Sequence, residues 1–308
     1  MKKTIYLSLA SLLLVGGACS KDDNNNGNGG KGSLTPPTIT AADGRDAIRP
    51  ENGEVRASST GHMHIRFKVT DEDGINQARV DIHHAFDGHS HGRGTTSSDF
   101  EHLDYRKIYE GEGAKSLNID DNFEDVYWEG SNSVIGNKNV LAGPYDFAVD
   151  ASDIHGNQTS FSDNTSYLAT FWIERSYAPQ ISVSNADDGE IDGHPGQQLS
   201  VLGSIERNAS DALSSDIAFV WVRLYEEDDH DHGHGHGDDI YDEKWGSSQW
   251  RSLNGGSLPS ATNIDLANLL SGSNAITLPS GHHHYELLIW VEDVNGNVTQ
   301  RIYEVHAH

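Results

Sequence analysis

Histidine is the residue type in this sequence with the clearest capacity for chemistry. The chain holds 18 histidines in 308 residues, and most of them fall into four clusters. Neutral imidazole is a common ligand for zinc, copper and nickel, and closely spaced imidazoles can hold one ion together. The clusters therefore predict metal ligands, which are His62, His64, His83, His84, His89, His91, His230, His232, His234, His236, His282, His283 and His284.

Predicted strands position the first of these ligands. Along residues 62–69 apolar and polar side chains alternate, so the apolar ones should face a core and the histidines should face outward. The same alternation along residues 80–84 turns Asp81 and His83 outward. We expect four features to share one face and edge of one sandwich, namely His62, His64, His83 and the loop that carries His89 and His91.

A second site is expected in the other half of the chain. It would combine the glycine-histidine tract at residues 230–237 with the histidines at residues 282–284. The tract is expected to bind metal loosely, whereas histidines carried on a strand are better preorganised. Carboxylates that could orient the rings or supply an oxygen are Asp81, Asp231, Asp238 and Asp239. Isolated histidines are interpreted as solvated residues without partners, and these are His102, His155, His194, His306 and His308.

Zinc is the favoured ion, with copper and nickel as alternatives, because the exported chain offers imidazole but almost no sulfur. Calcium is the weaker alternative. The acidic turns at residues 71–74 and 293–297 carry oxygen donors, but their spacing matches hairpin turns better than a calcium loop. Ligand imidazoles must be neutral, so we expect the affinity for metal to fall below about pH 6.

Internal repeats indicate two copies of one unit. The segment that begins at Pro37 recurs at Pro179, and Tyr145–Asp153 recurs at Tyr285–Asp293. Period-two alternation with glycine and asparagine turns is typical of short strands in β-sandwiches. We therefore predict an all-β fold of two tandem immunoglobulin-like antiparallel β-sandwich domains after a disordered N-terminal tether. Helix is expected only as a short turn within residues 264–270.

The N-terminus predicts export and lipidation. A basic start and an apolar run over residues 5–15 lead into small residues before Cys19, the only cysteine. This spacing is typical of a lipoprotein signal peptide over residues 1–18, which is cleaved so that Cys19 carries the lipid. Residues 19–34 are polar and predict a flexible tether. The predicted domains then span residues 35–175 and 176–308.

Charge and the residues after Cys19 indicate where the protein acts. A formal charge of −26 argues against nucleic-acid binding. The acidic residues just after Cys19 resemble the export signal of surface lipoproteins from Bacteroidota. The expected location is therefore the outer membrane, with a lipid anchor and the body facing the cell exterior. The expected partner is the membrane, with an outer-membrane receptor as a further candidate, and the oligomeric state is not predicted.

A family resemblance rests on residues 82–91, Ile-His-His-Ala-Phe-Asp-Gly-His-Ser-His, together with residues 62–64, 143–145 and 153–157. They resemble an uncharacterised family of histidine-rich lipoproteins from Bacteroidota, with an immunoglobulin-like fold, here in two tandem copies. The resemblance implies a surface location and no particular activity. The family pattern has a histidine where this chain has Asp146, so the first copy either lacks that ligand or uses the carboxylate. In the second copy, Gln198 and Ser200 stand where the pair at residues 62 and 64 would align.

These observations favour a surface protein that binds a metal for capture or buffering. Hydrolase motifs such as His-Glu-x-x-His and Gly-x-Ser-x-Gly are absent, so no catalytic or cofactor-binding residue is assigned. A cryptic metallohydrolase is one alternative. The other is a carbohydrate-binding or adhesive module, which would use tryptophans that can stack on sugars, namely Trp128, Trp172, Trp221, Trp245 and Trp250.

Overall fold

The structure is a computed structural model, and it describes residues 35–56, 63–88, 99–123, 138–226, 239–281 and 284–308. The predicted signal peptide, the tether and Cys19 lie outside these residues. Within the described ranges, no helix has the length and apolar character needed to cross a membrane.

Two main sheets make up the first half, and each contains strands of that half alone. The smaller sheet has the order β1 (Thr38–Thr40), β3 (Met63–Thr70) and β7 (Ser116–Phe123). The larger sheet has the order β2 (Val55–Arg56), β10 (Tyr167–Ile173), β9 (Gly143–Asp153), β4 (Ile75–His84) and β6 (Tyr105–Glu110). A further small sheet pairs β5 (Phe100–Glu101) with β8 (Asn139–Val140).

The second half repeats the same strand order. Its smaller sheet has the order β11 (Gln180–Val183), β13 (Gly203–Glu206) and β16 (Asn263–Asp265). Its larger sheet has the order β12 (Glu190–Gly193), β18 (Val298–Ala307), β17 (His284–Asp293), β14 (Ile217–Glu226) and β15 (Tyr241–Gly246). The helical elements are α1 (Leu266–Leu269) and a 3-10 turn (Gly272–Asn274). The short α1 lies where the sequence predicted a helical turn.

The alternation seen in the sequence builds the core. On β3, the four apolar side chains from Met63 to Val69 are fully buried, and the residues between them are only half-buried. On β4 of the other sheet, Val80 and Ile82 are fully buried in the same core cluster. Two sheets that bury alternate residues against each other form a β-sandwich. The predicted all-β, immunoglobulin-like sandwich fold is therefore confirmed.

One pairing in each larger sheet is parallel, whereas the sequence predicted antiparallel sheets. These parallel pairs are β2 with β10 and β12 with β18. Within each half, the first strand lies in the smaller sheet, and the second runs beside the last strand of the larger sheet. This crossing places residues from the start and the end of a half side by side.

The junction between the halves is packed rather than open. Trp250, Trp290 and Val298 of the second half belong to the same buried cluster as the first-half core. The backbone joins as well, since Val298 N donates to Ala142 O at 2.8 Å and Ala142 N donates to Asn297 Oδ1 at 3.1 Å. Residues 33–308 form one compact unit. The domain boundary at residues 175 and 176 stays a prediction from the repeat.

Candidate metal centre

The structure describes four of the thirteen predicted metal ligands, which are His64, His83, His84 and His284. The others lie outside the described residues, and they are His62, His89, His91, His230, His232, His234, His236, His282 and His283. The orienting candidates Asp231 and Asp238 also lie outside. The described histidines therefore decide where a site can be built.

His64 and His83 lie on opposite outer faces of the first sandwich. His64 projects from the smaller sheet, because Met63 and Ile65 on either side of it are buried. His83 projects from the larger sheet, because Ile82 is buried. The prediction that these two histidines share a face is wrong, since residues that point away from a common core in two packed sheets point away from each other.

The surroundings of His64 are unfavourable for a cation. Arg66 Nη2 lies 3.0 Å from His64 Nδ1, and Arg66 Nε donates to Asp120 Oδ1 at 2.6 Å. The guanidinium can only donate, so it occupies the Nδ1 lone pair of a neutral ring. Its permanent positive charge also repels a metal ion at this point.

His83 is held between two carboxylates on the outer face of the larger sheet. Its Nδ1 donates to Asp81 Oδ1 at 3.0 Å, which is the orienting contact predicted for Asp81. Its Nε2 lies 3.8 Å from Oδ2 of Asp146, a buried residue opposite His83 on β9. Thr170 Oγ1 donates to Asp146 Oδ1 at 2.7 Å. The carboxylate of Asp146 thus lies beside the imidazole. This position fits the alternative in which Asp146 replaces the histidine of the family pattern.

The His83–Asp81 pair should make stability depend on pH. The hydrogen bond that His83 donates to Asp81 raises the pKa of His83 above its usual 6.5, against the opposing effect of burial. A raised folded-state pKa contributes stability that is fully present below about pH 6.5 and is lost as the pH rises through the raised value. We expect Asp81→Asn to cost about 1 kcal/mol more at pH 5.5 than at pH 8.5, measured by urea unfolding in EDTA.

The matched control for this measurement is Asp150→Asn. Asp150 accepts from Arg79 on the same face, and an arginine stays charged throughout this pH range. Asp150→Asn should therefore lower the free energy of unfolding by the same amount at both pH values. An equal cost for Asp81→Asn at pH 5.5 and pH 8.5 would contradict the assignment of a raised pKa to His83.

His84 lies at the junction instead of on the outer face. Its ring stacks on His102 with centroids 4.2 Å apart, and the His102 ring meets Trp250 edge-on at 5.2 Å. Phe86 lies 5.0 Å from Trp250 in the same group. The interpretation of His102 as an isolated histidine is wrong. The His84 and His102 rings pack among aromatic side chains. The role of His84 as a metal ligand stays a prediction.

The second half brings histidine and glutamate together on the outer face of its larger sheet. Strand register places Glu190 of β12 opposite Glu304 of β18, and His284 of β17 opposite His306 of β18. One ligand atom each from Glu190, Glu304 and His306 can be chosen so that all lie within 4.8 Å of one another. The His284 and His306 rings have centroids 4.5 Å apart. We name Glu190, His284, Glu304 and His306 the β12–β18–β17 site.

Sequence reasoning found only His284 of this site and interpreted His306 as isolated, which is wrong. His306 Nε2 lies 3.4 Å from Glu304 Oε2, and the His308 ring lies 5.7 Å from the His306 ring. The signal in the sequence was the alternation Glu304-x-His306, which puts both side chains on one side of β18. Glu190 had no such local signal, because it comes from a distant strand.

A third group of acidic residues lies at the turns of the first half. Ligand oxygens of Asp71, Asp73 and Asp153 lie within 4.8 Å of one another. Asp71 Oδ1 accepts from the backbone amides of Asp73 and Gly74, both at 2.9 Å. Asp153 Oδ1 accepts from the amide of Asn157 at 2.8 Å. These bonds are those of hairpin turns, which is the interpretation the sequence favoured.

The two equivalent turn aspartates differ in their electrostatics. Burial raises the pKa of Asp153, but hydrogen bonds from Asn157 and nearby backbone amides outweigh it, and the pKa ends below the usual range. In the second half, burial outweighs the hydrogen bonds from Asn297 and raises the pKa of Asp293 to about 6. In both halves the turn carboxylate accepts hydrogen bonds from amides of its own turn, as is typical of hairpin turns.

Comparison with protein families gives one match. Residues 17–166 match the model of a domain of unknown function, DUF4625. The match spans most of the predicted first copy. The histidine-rich character and the tandem copies expected from the family resemblance stay predictions. None of the curated proteins compared with this chain matches it in sequence.

Several solved structures resemble the chain in fold. The fibronectin(III)-like modules of CbhA from Clostridium thermocellum share 11% identity over 88% of this chain and 94% of theirs, with a TM-score of 0.21. The sialic acid binding region of a Streptococcus sanguinis SK1 adhesin shares 10% over 89% of this chain and 78% of its own, with a TM-score of 0.24. SGBP-B of the Bacteroides ovatus mixed-linkage glucan utilization locus shares 13% identity over 87% of this chain and 47% of its own length, also with a TM-score of 0.24. This chain spans about half the length of SGBP-B, and at these identities the likeness concerns the fold alone.

Proposed function

We propose that this chain is a binding protein whose ligand is a divalent transition metal, with zinc favoured. The observation that carries the proposal is the convergence of Glu190, Glu304 and His306 within 4.8 Å, with the His284 ring beside them. Three separate strands supply these groups. Convergence of ligands from separate segments distinguishes a built site from a histidine tract.

The ligand chemistry favours zinc over calcium. Glu190, Glu304 and His306 make a mixed set of one nitrogen and two carboxylate ligands, to which His284 would add a second imidazole after its side chain rotates. A mixed set of four suits tetrahedral zinc, whereas calcium takes six to eight oxygens. Tetrahedral zinc ligands at about 2.0–2.1 Å from the ion lie about 3.3 Å apart. The side chains of Glu190 and Glu304 are exposed, so small rotations can bring their oxygens to that distance.

The biological setting proposed is the cell surface. Lipidation of Cys19, a tether over residues 19–34 and an outward-facing folded body would hold the metal site a short reach from the outer membrane. In that position the protein would capture or buffer metal, and an outer-membrane receptor would be the partner that receives it. The predicted histidine tract at residues 230–237 would add loose binding capacity.

Calorimetric titration of the full chain with zinc, copper, nickel and calcium at pH 7.5 tests the proposal. We expect zinc to bind with a dissociation constant below about 10 μM, and calcium to bind at least about tenfold more weakly. Binding of zinc should weaken at pH 5, because protonated imidazole cannot ligate. The proposal fails if no transition ion reaches that affinity, or if binding is unchanged at pH 5.

A carbohydrate-binding or adhesive module is the second candidate. Among the solved structures named above, an adhesin region binds sialic acid and SGBP-B is in complex with a mixed-linkage heptasaccharide, and these ligands agree with this candidate and not with a metal. In the structure, Trp245 and Trp250 are buried and serve the core. Trp221 is half-buried and packs against the first-half core cluster, with the Arg223 guanidinium 5.0 Å from its ring. A glycan array with the full chain and with Trp221→Ala tests this candidate, which predicts signals that the substitution removes.

A further inference from the structure

A cavity of about 410 Å³ lies where the two halves join. Its walls come from the segment that connects the halves and from β11 and β18 of the second half. Small-ligand sites have volumes of this order and occur preferentially at junctions between domains. The polar residues that line it include Glu174, Arg175, Ser176, Gln180, Thr299 and Arg301.

Arg301 lines this cavity from β18, and its side chain is 41% exposed. On β18 it shares the inward side with Val305 and Ala307, which are buried in the second core. Its Nη2 donates to Glu174 Oε1 at 2.7 Å, and its Nη1 donates to the Gln300 carbonyl at 2.9 Å. A guanidinium carries five N–H donors, and these bonds use two of them.

The charge of the cavity is opposite to that of the chain. Two arginines and one glutamate line it, while the whole chain has a formal charge of −26. Arg175 Nη1 donates to the backbone carbonyl of Glu174 at 2.7 Å. Guanidinium groups match the planar geometry of a carboxylate and bind it through paired hydrogen bonds. The local excess of positive charge therefore favours an anionic ligand.

The remaining lining defines the rest of the ligand. Ser182 brings a hydroxyl group and Gln180 an amide, both of which can pair with the hydroxyls of a sugar. The hydroxyls of Ser176 and Thr299 donate to Asp211 Oδ2 and to the Pro179 carbonyl, both at 2.6 Å, so towards a sugar they can only accept. Ala178 and Ile181 supply apolar surface. Inorganic phosphate would fill only a small part of a cavity of this size. We propose that the cavity binds an acidic sugar, with its carboxylate at Arg175 and Arg301.

Calorimetry of the full chain in EDTA and at low salt tests this proposal separately from the metal site. The probes are galacturonate and glucuronate, with galactose and glucose as their neutral counterparts and acetate as a bare carboxylate. We expect at least one uronate to bind about tenfold or more tightly than its neutral sugar and than acetate. Equal affinity for a uronate and its neutral sugar would overturn the proposal, as would equal affinity for acetate or no uronate binding below about 10 mM.

Three variants locate the binding. Arg301→Gln and Arg175→Gln should each weaken uronate binding by about tenfold or more, since each removes charged donors to the carboxylate. Arg79→Gln is the matched control, because Arg79 pairs with Asp150 on an outer face. If Arg301→Gln does not fold, as seen from its melting profile, Arg175→Gln carries the test. Loss of binding in Arg79→Gln equal to that in the cavity variants would overturn the assignment.

Discussion

Replacing His306 with alanine should weaken the tight binding of zinc by about 100-fold or more. Loss of a residue that merely supports a metal ligand already costs about 10–100-fold in affinity, and the loss of a ligand should cost at least the upper value. His306 is central to the β12–β18–β17 site, since it lies beside both Glu304 and His284. The measurement is competition for zinc against a chromophoric chelator of known affinity at pH 7.5.

The control for this prediction removes three histidines from another part of the chain. A triple variant of the glycine-histidine tract, with His232, His234 and His236 replaced by serine, should lose loosely bound zinc but keep the tight event. His83→Ala should also keep it, because His83 belongs to the other half. Retention of tight binding in His306→Ala together with its loss in the triple variant would place the site in the tract.

Replacing Trp250 with alanine should lower the free energy of unfolding by about 3–5 kcal/mol, the usual cost of removing a buried aromatic side chain. Trp250 is only 6% exposed and packs against Phe86 of the first half. Its Nε1 donates to the Gly296 carbonyl at 2.9 Å, so a buried acceptor also loses its partner. Urea unfolding followed by circular dichroism measures the effect.

The matched control is Phe161→Ala, an aromatic truncation at a site that is 47% exposed. Its cost should stay below about 0.5 kcal/mol. Since the Trp250 side chain belongs to the core cluster of the first half, we expect both halves of the parent chain to unfold in one transition. Two well-separated transitions, with only the second-half transition moved by Trp250→Ala, would contradict a shared core.

The alternation of apolar and polar residues along single strands was the feature of the sequence that predicted the fold. Alternation along β3 and β4 identifies which residues are buried, and the repeat identifies two copies with the same strand order. The same reasoning turned His83 and Asp81 outward, and their hydrogen bond at 3.0 Å agrees with it. These results need only neighbours along one strand, whose side chains must point to alternating faces.

Pairing between strands that are distant in sequence decided which residues meet at the candidate metal centre. Alternation says that a residue points away from the core, but not which sheet carries it, so His64 and His83 were wrongly placed on one face. Glu190 and Glu304 become neighbours only because β12 crosses to pair in parallel with β18. The sequence by itself thus determined the all-β fold, its repeated strand order and the abundance of histidine. The tertiary structure decided which side chains meet, because register and sheet order depend on packing across the whole core.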